Sequence, residues 1–374
     1  MSQAHPPAYA IGIMSGTSAD GIDGVVLEIG DSGSFQIVET CAVDYPDHIR
    51  SKVRDIARRR IGSAEESDNL DMELAHLFAA AAEKLIEQLG HREIAVVGSH
   101  GQTVNHSPDS DPAFTVQLGN GPKIASLLEL PVVSNFREAD MEAGGQGAPL
   151  APGFHQAAFS DENESRVVIN IGGISNITFL PRQNGEVTGF DTGPGNTLLD
   201  YWCRTHFDCE YDDNGNIARE GDLQLDLLDL LLKDPYFAQL PPKSTGLEYF
   251  NEKWLKDKML YWEGYGHASN QDILMTLTYL TARAIADQVN LLQPAVDHAY
   301  VCGGGARNSL LMEILNDKAR PVVSKTDEIG IDPKWVEASA FAWMAHRTLN
   351  GLTSTLPSVT GAGFPTVAGV VNIP

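Results

Sequence analysis

The chain has 374 residues, 43% hydrophobic and 20% charged, and a formal net charge of −24 from 26 basic and 50 acidic side chains. So acidic a balance excludes an exposed nucleic-acid surface and demands a local positive group or Mg²⁺ wherever an anion binds. Apolar runs are broken by Gly, Asp or Arg well short of membrane-spanning length, and the chain is too long for one ordinary core.

Two α/β domains are therefore expected, 1–155 and 156–374, with the tail free to pack back on the first. No basic-then-apolar leader opens the sequence, so a cytoplasmic location is expected. An apolar strand at 9–14 runs into Ser15-Gly16-Thr17-Ser18-Ala19-Asp20-Gly21-Ile22-Asp23, and a second apolar run occupies 25–29. This is strand, tight turn, strand. Glycines there let backbone N–H groups approach a polyphosphate, hydroxyls donate, and Asp20 could hold a hydrated Mg²⁺; a plain hairpin is the competing reading.

A third strand is predicted at 35–45, an amphipathic helix at 70–89 ended by Gly90, and short buried strands at 94–98 and 132–133. His100 and Gln102 follow the first of these and Arg137 follows the second, each in a polar, Gly-rich segment suited to a hydroxylated ligand. Arg137 could grip a carboxylate bidentately. Intrachain hydrogen bonds or ion pairs would explain the same residues.

Residues 148–163 read as irregular and acidic. A second strand, Gly turn, strand follows at 167–180 around Gly172-Gly173, echoing the opening and suggesting an internally duplicated fold with a cleft between its halves. Next comes Gly189-Phe190-Asp191-Thr192-Gly193-Pro194-Gly195-Asn196, at the end of a short strand and before a helix at 197–206. A carboxylate at such a strand end suits a general base in phosphoryl transfer, although Asp191 could simply cap the turn.

Lys243-Ser244-Thr245-Gly246 lacks the Walker order and is left as a loop without an assigned role. Helices are predicted at 273–292 and at 334–349, the latter capped by Asp332 with Glu337 in its first turn; the tail after Gly351 reads as irregular. Between those helices, strand 298–302 enters Gly303-Gly304-Gly305, a turn against which adenosine could lie, or one that permits a close strand–helix crossing. The four cysteines, Cys41, Cys203, Cys209 and Cys302, have no metal-ligand spacing and read as free thiols.

The ordered strings GIMSGTSADGID, GSHGQT, NFREAD, AGGQGAPL, INIGGISN, GFDTGPGN, KSTG, CGGGARN and WVEASAFAW closely resemble those of the 1,6-anhydro-N-acetylmuramic acid kinases, over about residues 11–346. That family belongs to the fold group of acetate and sugar kinases, actin and heat-shock chaperone ATPases. The resemblance implies a two-domain actin-like ATPase fold and a homodimer, with ATP and Mg²⁺ in the cleft. Gly16 to Asp23 would form the first phosphate loop, Gly172-Gly173 the second, and Gly303 to Gly305 the adenosine contact. It further implies that Asp191 activates a water that opens the 1,6-anhydro bridge, O6 taking the γ-phosphoryl group, in the recycling of cell-wall sugars. His100, Gln102, Arg137 and Glu337 would bind the sugar. Two rival readings of the scaffold are a sugar-independent nucleotide hydrolase and an ATP-gated interaction protein.

Overall fold

The computed structural model describes residues 7–16, 19–30, 33–59, 63–108, 110–183, 185–241, 243–264 and 266–374. In chain order the strands are β1 (Ala8–Met14), β2 (Gly21–Ile29), β3 (Phe35–Asp44), β4 (Ile94–Ser99), β5 (Gln102–Ser107), β6 (Phe114–Leu118), β7 (Val132–Ser134), β8 (Arg166–Ile171), β9 (Ile174–Leu180), β10 (Thr188–Pro194), β11 (His298–Cys302), β12 (Val322–Lys325) and β13 (Val370–Asn372). The described residues fall into two compact units, one drawn from Met1–His155 with Trp335–Pro374, the other Gln156–Lys334.

In the first unit a six-stranded sheet has the order β13-β7-β4-β1-β2-β3. Strands β1, β2 and β3 are antiparallel neighbours, whereas β1, β4 and β7 run parallel. The second unit has the order β10-β9-β8-β11-β12, again with an antiparallel meander of three strands and parallel neighbours beyond it. Aligned on β1 and β8, the two sheets share strand order and direction over five strands. The duplication suggested by two glycine hairpins is thus a duplication of topology, in a mixed α/β fold.

Strand alternation explains how the first sheet is covered. Ile11 and Ile13 pack into one core with Leu74, Phe78 and Leu85 of helix Ala64–Leu89. Gly12 faces the other way, and its register partner in β4 is Gly98. A Cβ on Gly12 would lie 2.0 Å from the carbonyl oxygen of Ala338, and one on Gly98 would lie 2.3 Å from that of Phe341. The paired glycines therefore seat helix Val336–Leu349 directly on the sheet backbone. Gly12→Ala is expected to lower stability by about 1–3 kcal/mol, because a packed helix must be lifted off the strand. A denaturation midpoint unchanged from wild type would refute that packing role.

Helix Ala64–Leu89 begins six residues before the predicted start. Ser63 and Glu66 form a reciprocal capping box that stabilises its polar first turns. Residues predicted as irregular contain helix Ala151–Phe159, whose Phe154 is fully buried. Pro152 and Gly153 masked it, yet Gly153 is the position where the carbonyl of Ser354 passes too close for a side chain.

The last predicted helix starts at Val336, not at 334: Asp332 accepts from the Lys334 N–H and closes a turn before it. That helix, placed in the second half by sequence, belongs to the first unit, as does the tail, expected to be free to pack there. The tail is also more ordered than expected, supplying helix Pro357–Thr360 and β13, which pairs with β7. All four cysteines are free thiols. Among the described residues no helix is long and apolar enough to cross a membrane.

Candidate active site

Asp191 does not stand at a strand end; it lies in the middle of β10, an edge strand. The register with β9 shifts between Asp191 and Gly193, so Thr192 is the extra residue of a bulge, a device that re-aims neighbouring side chains. The bulge is pinned by a buried 2.6 Å hydrogen bond between the Thr192 and Ser175 hydroxyls.

Both main-chain polar groups of Asp191 are taken by the segment that follows helix Thr197–His206 at a distance in sequence. The Asp191 N–H donates to the Lys243 carbonyl (3.2 Å), and its carbonyl accepts from the Tyr236 hydroxyl (2.8 Å). The Thr245 N–H donates to Asp191 Oδ2 at 2.9 Å, which leaves Oδ1 as the oxygen for an incoming proton. Burial pushes the Asp191 carboxyl up to about 7; the Thr245 N–H and Lys243 oppose this, and Glu248 adds to it. A carboxyl pushed toward neutrality is well matched to general-base work at physiological pH.

Sequence reasoning left this clamp without a role. The Lys243-Ser244-Thr245-Gly246 string was visible, but nothing in it revealed that its partner is Asp191. The Lys243 side chain is buried, its ammonium 4.8 Å from the Tyr236 ring centre and 6.0 Å from that of Phe190. Behind it, buried Asp234 accepts from the Tyr249 hydroxyl (2.7 Å), the Trp254 indole (2.9 Å) and the Tyr236 N–H (3.1 Å), and pairs with Lys258 (2.9 Å).

The expected glycine contacts of the second unit converge. The β8–β9 turn is clasped by the start of helix Thr197–His206: Gly173 O accepts from Gly195 N and Thr197 N, and Gly172 O accepts from Asn196 N. Gly195 is required there, since a Cβ would meet Gly172 O at 2.3 Å. Gly303, at φ 80°, and Gly305 press on Asn170 and Ile171 of β8, so a close crossing explains both. Gly172 and Gly304 differ. A Cβ on Gly304 would have only Asn196 Nδ2 near it, at 3.8 Å, and one on Gly172 only Ile174 O, at 3.6 Å. Neither has the positive φ that would demand glycine. Asn170 and Asn196, between these turns, were not singled out by sequence, although each stands inside a quoted motif.

In the first unit the expected phosphate turn spans two kinds of residue. Thr17 and Ser18 lie outside the described residues. Gly16 O accepts from Ala19 N and from the Gln102 amide, and Ala19 is left-handed at φ 54° with its methyl group in the core. Gly21, Ile22 and Asp23 already belong to β2. Ile22 is 1% exposed and packs in the core, which removes its side chain from any ligand; Gly21 is needed because a Cβ would meet Val43 O at 2.5 Å. Asp20 is exposed at the tip.

Gln102, expected to meet sugar, is 1% exposed and braces the turn instead. Its Oε1 accepts from Ser15 (2.8 Å) and Tyr45 (3.4 Å), and its amide nitrogen donates to Gly16 O (3.0 Å). His100 is 3% exposed, its ring tilted against that of Phe341 with 4.4 Å between centres, and held neutral by burial and by the Arg137 charge. Its Nε2 accepts from Arg137 Nη2 at 3.1 Å, while Arg137 Nη1 donates to Gly147 O at 2.9 Å. Burial lowers the guanidinium to about 10 against the pull of Glu337, so it remains a cation at neutral pH. Arg137 Nε is buried without a protein partner, a donor in want of an acceptor. Glu337 stands in the first turn of helix Val336–Leu349.

Among the described residues no three His, Cys, Asp or Glu side chains cluster as metal ligands. Mg²⁺ needs no such cage, being held by one or two carboxylates with phosphates and water, and the exposed carboxylate of Asp20 has the oxygen chemistry for it.

The family model for anhydro-N-acetylmuramic acid kinase matches residues 8–373. The anhydro-N-acetylmuramic acid kinase of Idiomarina loihiensis is 43% identical over 365 residues, 96% of this chain and 97% of that one. Its namesake from Nitrosospira multiformis is 42% identical over 369 residues, 97% and 98% of the two chains. Among solved structures, the activator of the 2-hydroxyisocaproyl-CoA dehydratase from Clostridium difficile is 14% identical, with a TM-score of 0.47, over 91% of this chain and 96% of that one.

Proposed function

This chain belongs to the anhydro-N-acetylmuramic acid kinase family, and on that premise we propose that it converts 1,6-anhydro-N-acetylmuramic acid, ATP and water to N-acetylmuramic acid 6-phosphate and ADP, in cell-wall sugar recycling. The observation that carries this reading is the clamped, half-buried Asp191 carboxyl with its pKa pushed up to about 7.

Asp191 takes a proton from water as the water oxygen bonds to C1 and the C1–O6 bond breaks. O6 then accepts the γ-phosphoryl group as the bond to the β-phosphate oxygen breaks and ADP leaves. Holding base, water and sugar in one arrangement removes much of the entropic barrier. Arg137 pairs with the lactyl carboxylate, the one anionic group of this sugar, and is itself oriented by His100 and Gly147. Glu337 accepts from a sugar hydroxyl. The turn at 16–20, braced by Gln102, and the turn at Gly172-Gly173 receive the phosphates, and Gly303 to Gly305 receive adenosine. Asp20 would hold Mg²⁺ through water, and the cation, when bound, neutralises phosphate charge. The chain acts in the cytoplasm and as a homodimer on this reading.

Incubation with ATP, Mg²⁺ and the anhydro sugar in ¹⁸O-labelled water tests it: the product should carry one solvent oxygen at C1 and phosphate on O6. Phosphate release at the same rate without sugar would instead favour a plain nucleotide hydrolase. Gly304→Ala separates ligand contact from packing. Its methyl group would make only an ordinary contact with Asn196 Nδ2 at 3.8 Å, so the melting temperature should stay within about 1 °C of wild type, within the small effects of surface substitutions. KM for ATP should rise roughly tenfold, the loss of about 1.4 kcal/mol of binding. An unaltered KM would remove Gly304 from the nucleotide site.

A further inference from the structure

The hydrogen bonds around Asp191 single out two residues that no ligand role absorbs. Tyr236 is locked at both ends: its N–H goes to Asp234 at 3.1 Å, and its hydroxyl goes to the Asp191 carbonyl at 2.8 Å. Its ring stands edge-on to Phe250, 5.3 Å between centres. Lys243 lies over that same ring, and its ammonium donates only a long bond, 3.4 Å, to Tyr236 O. Among the described residues Lys243 has no carboxylate at ion-pair distance. Burial disfavours the Lys243 charge and the Asp191 carboxylate favours it, so the two groups are electrostatically coupled.

We propose that Tyr236 and Lys243 are positioning residues of this reaction: Tyr236 aims the Asp191 carboxylate by fixing its peptide in the bulge, and Lys243 supplies the charge that keeps that carboxylate an acceptor. The inference rests on Asp191 being the base. Every element packed on Asp191 is consistent with it. Short helix Pro235–Ala238 contributes Tyr236, and the loop after it contributes Lys243, Glu248 and Tyr249. Strand β9 faces Asp191 with uncharged Ser175 and Asn176. Helix Asn270–Leu291 brings Ala284 toward Gly193, while its Arg283 and Asp287 bond each other. Lys243 is thus the nearby cation and Glu248 the opposing anion.

The test is the pH profile of kcat/KM for the anhydro sugar with the full chain. Lys243→Met should move the acid limb upward by on the order of one pH unit with little change in KM, and Lys243→Arg should return most of that shift. Tyr236→Phe should lower kcat roughly tenfold with KM within about twofold and the limb unmoved, the signature of a misaimed base. Partial unfolding would also lower apparent kcat without moving limb or KM, so kcat is taken per folded molecule, the folded fraction being read from the calorimetric unfolding enthalpy of each variant. Should Lys243→Met not fold, Lys243→Gln reads the same limb. A wild-type limb in the Lys243 variants, or a wild-type kcat in Tyr236→Phe, overturns the proposal. If instead Asp191→Asn retains wild-type turnover, the premise about the base fails, and the two failures are told apart.

Discussion

Asp191→Asn should lower turnover of the anhydro sugar by about 10²–10⁴-fold, the usual contribution of a positioned general base. The amide keeps the shape of the side chain, so the Thr245 N–H still finds an oxygen acceptor and KM should change little. In the wild type, activity should follow the ionised carboxylate: kcat/KM falls tenfold per pH unit below about 7 and levels off above it. The same group works against stability. Its folded pKa lies above the unfolded value, so between about pH 4 and 7 the folded state holds a proton that the unfolded state has lost, and stability declines as pH rises. Asp191→Asn should therefore melt higher than wild type at pH 8, with the difference vanishing near pH 4. A fully active Asp191→Asn would remove Asp191 from the chemistry, and a wild-type acid limb near pH 4 would refute the upward shift of its carboxyl.

Arg137→Lys should abolish most of the preference for the muramic acid sugar over the otherwise identical 1,6-anhydro-N-acetylglucosamine, which lacks the lactyl carboxylate. The expected loss in the ratio of kcat/KM values is on the order of 10²-fold, arising mainly in KM. Lysine keeps the charge but not the planar fork that Gly147 O and His100 Nε2 hold in place. Unchanged discrimination between the two sugars would assign Arg137 to internal structure alone. A melting curve would show the accompanying cost of leaving Gly147 O and His100 Nε2 without their donor, about 1–3 kcal/mol for buried groups.

Several residues that look like ligand contacts in the sequence have other work in the fold. Gln102 and Ile22 sit in motif-dense stretches, yet one braces the turn at Gly16 and the other fills the core of the first unit. Glycines divide in the same way. Gly12, Gly21, Gly195 and Gly305 are demanded by a neighbouring atom, whereas a Cβ on Gly172 or Gly304 would meet nothing closer than 3.6 Å. A sequence shows that a glycine is present. It does not show whether protein or ligand occupies the space a side chain would take.

What the sequence by itself determined was local: both glycine hairpins, the strand into Gly303, the helix Thr197–His206 and the family strings, since each is set by residues adjacent in the chain. Only the tertiary structure decided that Asp191 sits in a bulge of an edge strand, because its clamp comes from residues 45 and 54 positions further on. It likewise decided that residues 335–374 complete the first unit, through Gly12 and Gly98 meeting a helix more than 230 residues away. Periodicity and turn chemistry act over a few residues; close packing and the desolvation of a carboxylate depend on whatever the fold brings beside them.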